Sequence, residues 1–373
     1  MNRSRTWISL GFVVAATIHG QQYLDVGPFG YAVTGSVYGD GSSMTSIFVQ
    51  GRDQNGNPAN VKFTCNTAVP NLTLLLFSPC SGTTPQQVLI FLNLTVVPTS
   101  SPGKTTQEVL FNTVDQSPPR SAFAFVDVTI TLPPPPGIGA VVSAASLQPA
   151  ISPGEIVSIF GSSLGPPVLS SQPLNGVYPT FFGYTTVTFN GAPAPTLFNN
   201  TSQINAIVPY AIAGQKTAQV VVSHYGQAST AFSVPIADTS PGIFTLTQDG
   251  RGQGAILNDG ATVTINGPIN PARRGSAITI FATGAGMWNQ PVLDGQVLIN
   301  VLQSAIAPQA PVALTIGGQP AQILYAGAAP YMVSGVLQVN AIVPQGVASG
   351  SQPAILMVGQ ADNSKQSVTV AIE

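Results

Sequence analysis

Val187-Thr-Phe-Asn-Gly-Ala-Pro-Ala-Pro-Thr-Leu-Phe198 returns later in the chain as Leu314-Thr-Ile-Gly-Gly-Gln-Pro-Ala-Gln-Ile-Leu-Tyr325. In each copy a dipeptide, Asn190-Gly191 or Gly317-Gly318, separates two short apolar runs. A two-residue hairpin loop needs positive φ at both positions, so these dipeptides are turn signals between strands. Val187 and Phe189, and then Leu197, alternate with period two, the pattern of strands with one buried and one wet face.

The correspondence extends outward in both directions. Gln203-Ile-Asn-Ala-Ile-Val-Pro209 matches Gln338-Val-Asn-Ala-Ile-Val-Pro344, and Gly154-Glu-Ile-Val-Ser-Ile-Phe-Gly161 aligns with Gly275-Ser-Ala-Ile-Thr-Ile-Phe-Ala282. Residues 138–237 and 238–373 therefore read as two copies of one fold, differing by insertions at their connections. Leu132-Pro-Pro-Pro-Pro-Gly137 precedes them. Four prolines cannot join a sheet ladder, so 133–137 reads as a stiff linker behind a separate module at 22–132.

With several short strands per hundred residues and no segment of helical period, the expected class is all-β: three immunoglobulin-like sandwich modules in tandem. Val142-Ser-Ala-Ala-Ser-Leu-Gln-Pro-Ala-Ile-Ser-Pro-Gly154, Ser240-Pro-Gly-Ile-Phe244, Asn270-Pro-Ala272 and the two Gln-x-Asn strands resemble the Solibacter-type uncharacterised C-terminal domain family over about 138–373. That resemblance implies paired TIG/IPT-like units in exported bacterial proteins, with no activity or site residues to carry over. Leu72-Thr-Leu-Leu-Leu-Phe-Ser-Pro-Cys-Ser-Gly-Thr-Thr-Pro85 and the strand ending Phe125-Val-Asp-Val-Thr-Ile-Thr-Leu132 resemble the BACON domain family, although the usual Trp before the turn is absent. The resemblance implies an association with carbohydrate or mucin.

Composition narrows the function. Only 6% of the 373 residues are charged, and the net charge is -2. No Lys/Arg cluster exceeds Arg273-Arg274, so nothing here would track a phosphate backbone, and nucleic acid is not an expected partner. Mean hydropathy is positive, +0.31, yet after the N-terminus no apolar run approaches the ~20 residues of a membrane span. Residues 1–20, with Arg3, Arg5 and the apolar stretch Ile8 to Ile18, read as a secretory signal peptide. Export in turn makes Cys65 and Cys80 an expected disulfide.

A search for chemistry yields little. His224 is the sole histidine after the signal segment, and its place before a hairpin turn suggests a solvent-facing side chain. Asp40, Asp249, Asp259 and Asp294 each precede Gly, which is turn chemistry. Asp53-Gln-Asn-Gly-Asn57 places oxygens at alternate positions but lacks the closing Glu of a calcium loop, and reads as a hairpin turn. Gly250-Arg-Gly-Gln-Gly254 has no Lys-Ser/Thr after it and reads as a strand connection. Gln203 with Asn205, and Gln338 with Asn340, are expected to bond neighbouring backbone. No cofactor or metal is implied.

Trp288, and Phe182 with Tyr184, are the candidate ligand contacts, the alternative for each being a place in the core. The expected function is a noncatalytic secreted or cell-surface interaction protein whose partner is an extracellular protein or a polysaccharide. A carbohydrate-binding assembly and an envelope spacer are the alternatives, and the oligomeric state stays open. With so few ionisable groups, stability should vary only weakly with pH.

Overall fold

The computed structural model describes residues 23–27, 31–36, 44–66, 72–76, 81–83, 88–96, 103–115, 118–166, 168–299 and 306–373. The expected signal segment, Asp40 and Cys80 lie outside the described residues. Among the described residues no helix is long and apolar enough to cross a membrane. The protein is an all-β assembly of sandwiches. The chain divides into two compact units, Met1–Pro133 and Pro134–Glu373, the division falling inside the proline run.

The first unit pairs a four-stranded sheet with a five-stranded one. The first has the order Tyr23–Gly27, Met44–Arg52, Val88–Val96, Leu72–Leu76, and the second Tyr31–Ser36, Ser121–Thr131, Gly103–Thr113, Lys62–Asn66, Ser81–Thr83. Alternation works here as the period-two rule requires: Val109 and Phe111 on one strand, and Ala124 and Val126 on the next, turn inward and are buried. Phe63 and Phe111 meet inside at 6.1 Å in a tilted arrangement. The short strand Ser81–Thr83 pairs in the register Lys62↔Thr83, Phe63↔Gly82, Thr64↔Ser81. Asp53 closes its turn by itself, because its carboxylate accepts the backbone N–H groups of Asn55 at 2.8 Å and Asn57 at 2.9 Å.

The second unit holds both repeat copies. In the first copy, a sheet running Gly137–Ser143, Ile156–Ser162, Gln203–Ile207, Thr196–Asn200, Val168–Ser170 faces one running Phe181–Phe182, Thr185–Phe189, Thr217–His224, Gln227–Ala228. Between them lie Val187, Phe189, Ile159, Ile204, Val220 and Val222, all fully buried. Each such side chain contributes roughly 1.5–3 kcal/mol. The second copy repeats the plan, with Ala277–Thr283, Leu337–Ile342 and Gln322–Ala328 in one sheet and Val312–Ile316, Gly350–Val358 and Val368–Ile372 in the other. Asn190-Gly191 and Gly317-Gly318 are both tight hairpin turns with positive φ.

Three expectations need correction. Leu197 does not continue the inward face of Val187 and Phe189. A register shift between Thr196 and Phe198 turns it toward a separate cluster between the copies. Gly250 to Gly254 is more than a connection: Gly252–Gln253 pairs in parallel with Val368–Ile372, and Gly250 lies against the backbone of Ala145 and Ser146 in the first copy. The paired amides bond each other, with Gln203 Nε2 donating to Asn205 Oδ1 at 2.7 Å and Gln338 Nε2 to Asn340 Oδ1 at 2.9 Å. A hydroxyl from the neighbouring strand joins each pair, Ser158 at 3.5 Å and Thr279 at 3.2 Å. Side chains two apart on a strand share a face, so they reach one another more readily than the laddered backbone.

The two copies are locked together. Ile156, Ile207, Ala329, Val333 and Val336 form a buried cluster drawn from both, with Leu197, Phe244 and Phe281 packed on it. Beside it, Trp288 Nε1 donates to Tyr210 Oη at 2.6 Å and lies 3.1 Å from the Ser334 carbonyl, to which Tyr210 donates at 3.2 Å. A Cβ on Gly154 would strike the Tyr210 ring, so only glycine lets the ring lie flat on this backbone. Farther along, Gln366 Nε2 donates to the carbonyl of Ala145 at 2.8 Å while its Oε1 accepts from Ile243 N at 2.9 Å.

Such a junction should make 134–373 one cooperative unit. Scanning calorimetry of the full chain is expected to show both copies melting in one transition. Trp288→Ala should lower that transition by about 3–5 kcal/mol of stability, the range for removing a buried aromatic. Separate melting of the two copies in the wild type would count against a locked junction.

Candidate functional site

Hairpin geometry gathers aromatic side chains at one end of the first copy. Phe182 pairs with Thr185 across the turn Gly183-Tyr184, and His224 pairs with Gln227 across the turn Tyr225-Gly226. Because Thr185 pairs with His224 in the same sheet, the two turns sit side by side, and Tyr225 N donates to the Tyr184 carbonyl at 3.0 Å. A two-residue turn of this kind demands positive φ at both central positions. Tyr184 has φ 56° and Tyr225 φ 48°, a region where a non-glycine side chain costs roughly 1–2 kcal/mol.

The rings then meet. Tyr184 and Tyr225 stack at 4.8 Å with 7° between their planes, and Phe181 sets its ring edge-on to Tyr184 at 6.0 Å. Phe181 is 61% exposed, and Phe182, Tyr184 and Tyr225 are part-buried. Beneath them, His224 is fully buried, with its ring edge-on to Tyr225 at 4.7 Å. Thr185 Oγ1 lies 2.7 Å from His224 Nδ1. Burial pushes the imidazole down to about 4, so it is neutral across the physiological range.

This overturns the solvent-facing reading of His224. The strand Thr217–His224 alternates strictly, and Ala218, Val220 and Val222 place position 224 on the same inward face. That alternation was present in the sequence, but the following turn obscured it. Tyr184 meets Phe181 and Tyr225, while Phe182, paired with inward-facing Thr185, turns to the other face of the strand. Sequence reasoning missed Tyr225, although Tyr225-Gly226 is a turn dipeptide of the same kind.

Trp288 belongs elsewhere. It is 4% exposed, packed in the core of the second copy and bonded to Tyr210 and Ser334, so it is withdrawn as a ligand contact. Its indole N–H needs a partner when buried, and the junction supplies two acceptors.

The acidic residues are spent on structure. Asp249 accepts from Thr247 Oγ1 at 2.6 Å and Arg251 N at 3.0 Å, Asp259 from Thr279 Oγ1 at 2.8 Å, and Asp294 from Tyr210 N at 2.8 Å. Glu155 is fully buried, its Oε2 accepting from Ser152 N at 2.7 Å and Ser152 Oγ at 3.1 Å. Desolvation pushes its carboxyl up to about 8, with the hydroxyls of Ser143 and Ser152 and the backbone of Ser152 acting against it. No group of three His, Cys, Asp or Glu stands close enough to hold a metal among the described residues.

No family model matches the chain, and no curated protein matches it. Among solved structures it is similar to SGBP-B of the Bacteroides ovatus mixed-linkage glucan utilization locus, determined with a mixed-linkage heptasaccharide. There the identity is 13%, the coverage 94% of this chain and 70% of that one, and the TM-score 0.28. It is also similar to PcdhgB3 EC1-4, at 10% identity over 92% of this chain and 74% of that one, TM-score 0.21. The N-terminal eight Ig domains of the Down Syndrome Cell Adhesion Molecule follow at 12% identity over 94% and 42%, TM-score 0.17.

Two buried ionisable groups set the pH response. Glu155, raised from 4.5 to about 8, supplies stability that is complete below pH 4.5 and lost as pH rises toward about 8. His224, lowered from 6.5 to about 4, supplies stability that is present above pH 6.5 and lost as pH falls toward about 4. The two slopes oppose each other where they overlap. The wild-type melting temperature should therefore be nearly flat from about pH 4.5 to 6.5 and fall from 6.5 to 8. Glu155→Gln should abolish the alkaline fall and uncover a rise between about pH 4 and 6.5. A variant with the wild-type profile would contradict the assignment to Glu155.

Proposed function

We propose that this chain is a noncatalytic interaction protein of the cell exterior, and that the aromatic tip formed by Phe181, Tyr184 and Tyr225 is its contact surface. The carrying observation is that two tyrosines occupy left-handed turn positions that glycine or asparagine fills at lower cost. Backbone strain of this kind concentrates where a side chain is needed for something other than stability. Here it brings rings to the surface, with Phe181 61% exposed.

The surroundings support contact over chemistry. His224 beneath the tip is buried and neutral, packed against Tyr225 and Thr185, so it holds the platform in place. Aromatic side chains give large contact area with few rotatable bonds to freeze, which suits a recognition surface. The N-terminal segment 1–20 supports export, and with it a Cys65–Cys80 disulfide that should make the unreduced chain two hydrogens lighter by mass spectrometry.

Turn chemistry supplies a clean test. Tyr225→Asn creates an Asn-Gly turn, which favours the same backbone, while removing the ring. The loss of stacking, about 0.5–1.5 kcal/mol, and the relief of left-handed strain should nearly cancel, leaving the melting temperature unchanged within a few degrees. Binding of the purified chain to whole cells and to a panel of soluble glycans is then compared for wild type, Tyr225→Asn and Phe181→Ala. Loss of binding at unchanged stability is the expected result. Binding that survives both substitutions would remove the tip from the function, and loss confined to glycans would make the partner a polysaccharide.

A further inference from the structure

We infer that the first copy carries a binding site for an uncharged sugar chain, centred on the amide pair Gln203 and Asn205 and flanked by the rings of Phe160 and Phe198. The strand Gln203–Ile207 is the middle one of its sheet, paired with Ile156–Ser162 on one side and Thr196–Asn200 on the other. Ile204 and Ala206 turn inward and are fully buried, which leaves Gln203 and Asn205 on the outer side. Residues directly opposite on paired strands share a face. Phe160 stands opposite Gln203, while Ser158 and Phe198 stand opposite Asn205, so a ring borders the amides on each neighbouring strand. Phe160 is 37% exposed and Phe198 part-buried. This sheet lies opposite the one that bears the aromatic tip.

The amides are held in place yet keep bonding capacity. Gln203 Nε2 donates to Asn205 Oδ1 at 2.7 Å, and Ser158 Oγ lies 3.5 Å from the same oxygen. Among the described residues, the side-chain carbonyl of Gln203 accepts no bond and the side-chain amino group of Asn205 donates none. An acceptor and a donor thus remain available two residues apart, about 7 Å along the strand. Asparagine is depleted in strands, and ordering a glutamine side chain is costly in entropy, so the stability of the sheet does not select this pair. The second copy nevertheless repeats it: Gln338 bonds Asn340 in the same way, and Thr279 takes the place of Ser158.

Ligand chemistry follows from what the face offers. Both neighbouring strands already pair with the backbone of Gln203–Ile207, so an extended peptide has no ladder to join and only side chains make contact. A sugar ring has an apolar face that packs on an aromatic ring, and its adjacent hydroxyls each donate and accept. That edge matches an amide oxygen and an amino group held side by side. Charge selects further. Glu155 and Lys216 are the only Asp, Glu, Lys or Arg residues between 138 and 237; Glu155 is fully buried, and Lys216 precedes a strand of the opposite sheet. A carboxylate or sulfate on the ligand would lose water here with no cation to compensate it.

The second copy holds a weaker version. Phe281, opposite Gln338, is packed at the junction between the copies. The Thr279 hydroxyl lies nearer Asp259 Oδ2, at 2.8 Å, than Asn340 Oδ1, at 3.2 Å, and brings a carboxylate to the face. Tyr325 stands opposite Asn340, but its hydroxyl donates to the Ala328 carbonyl at 2.6 Å. The pair in the first copy is the principal site.

Affinity electrophoresis of the full chain is the test, in native gels holding galactomannan, xyloglucan, laminarin or dextran, with polygalacturonate as the charged comparison. At least one neutral polymer should retard the wild type, and polygalacturonate should not. Asn205→Val places a strand-favouring residue at the site, so the melting temperature should stay at or above that of the wild type. Retention should nevertheless weaken at least about tenfold, the worth of one hydrogen bond, and about as much in Phe160→Ala. Asn340→Val should weaken it less than about threefold. Tyr225→Asn should be retained like the wild type, which separates this face from the tip. Retention lost in Tyr225→Asn and kept in Asn205→Val would overturn the inference while leaving the tip reading intact. A wild type retarded by no neutral polymer, or retention indifferent to both Asn205→Val and Phe160→Ala, would overturn it as well.

Discussion

The second unit depends on one constraint: a tryptophan buried in the second sandwich, beside the first, must find acceptors for its N–H. Trp288 finds them in Tyr210, from the first copy, and in the Ser334 carbonyl, from its own. An unmade hydrogen bond there would cost roughly 1–3 kcal/mol, and so would sliding one copy past the other. The same constraint reaches the Tyr210 ring, which lies flat only because Gly154 has no side chain. It also draws in Thr283, whose hydroxyl accepts from Ile156 N at 2.9 Å and donates to the Gly335 carbonyl at 2.7 Å. Two folds that the sequence presents as a repeat are thereby joined into one body.

Repetition explains why so much of the architecture was legible. The turn dipeptides Asn190-Gly191 and Gly317-Gly318 specify hairpins by backbone chemistry alone, and their strands follow from the alternation around them. The junction was not legible for the complementary reason. Trp288, Tyr210, Gln366 and Glu155 have no counterparts of like chemistry in the other copy, so comparing the copies conceals them. In the sequence Trp288 could be a ligand contact or a core residue, and only its bond to Tyr210, 78 residues away in the chain, shows the role.

The aromatic tip illustrates a different limit. Tyr184 stood out beside two phenylalanines in the sequence, yet Tyr225 reaches it through the register Thr185↔His224, which no local pattern announces. Once that pairing is known, the rest follows from strand geometry: the two turns must be neighbours, and rings on them must meet. His224 shows the opposite failure. Its burial was written in the alternation of Thr217–His224, but a polar residue beside a turn invites the exposed reading, and here packing against Tyr225 and Thr185 prevails.

Charge scarcity connects these features to function. At 6% charged residues, long-range fields contribute little to choosing a partner, and like-charge repulsion between copies is weak. Recognition must then rest on shape, on aromatic surface and on a few well-placed ions. The tip offers rings fixed by two turns, and Phe123 and Phe125 add exposed aromatic surface on one sheet face. A protein of this composition with such surfaces exposed would associate indiscriminately unless their geometry were strict. Stacking at the tip supplies that strictness. Rigid presentation, more than added contact area, is what these sandwiches contribute to binding.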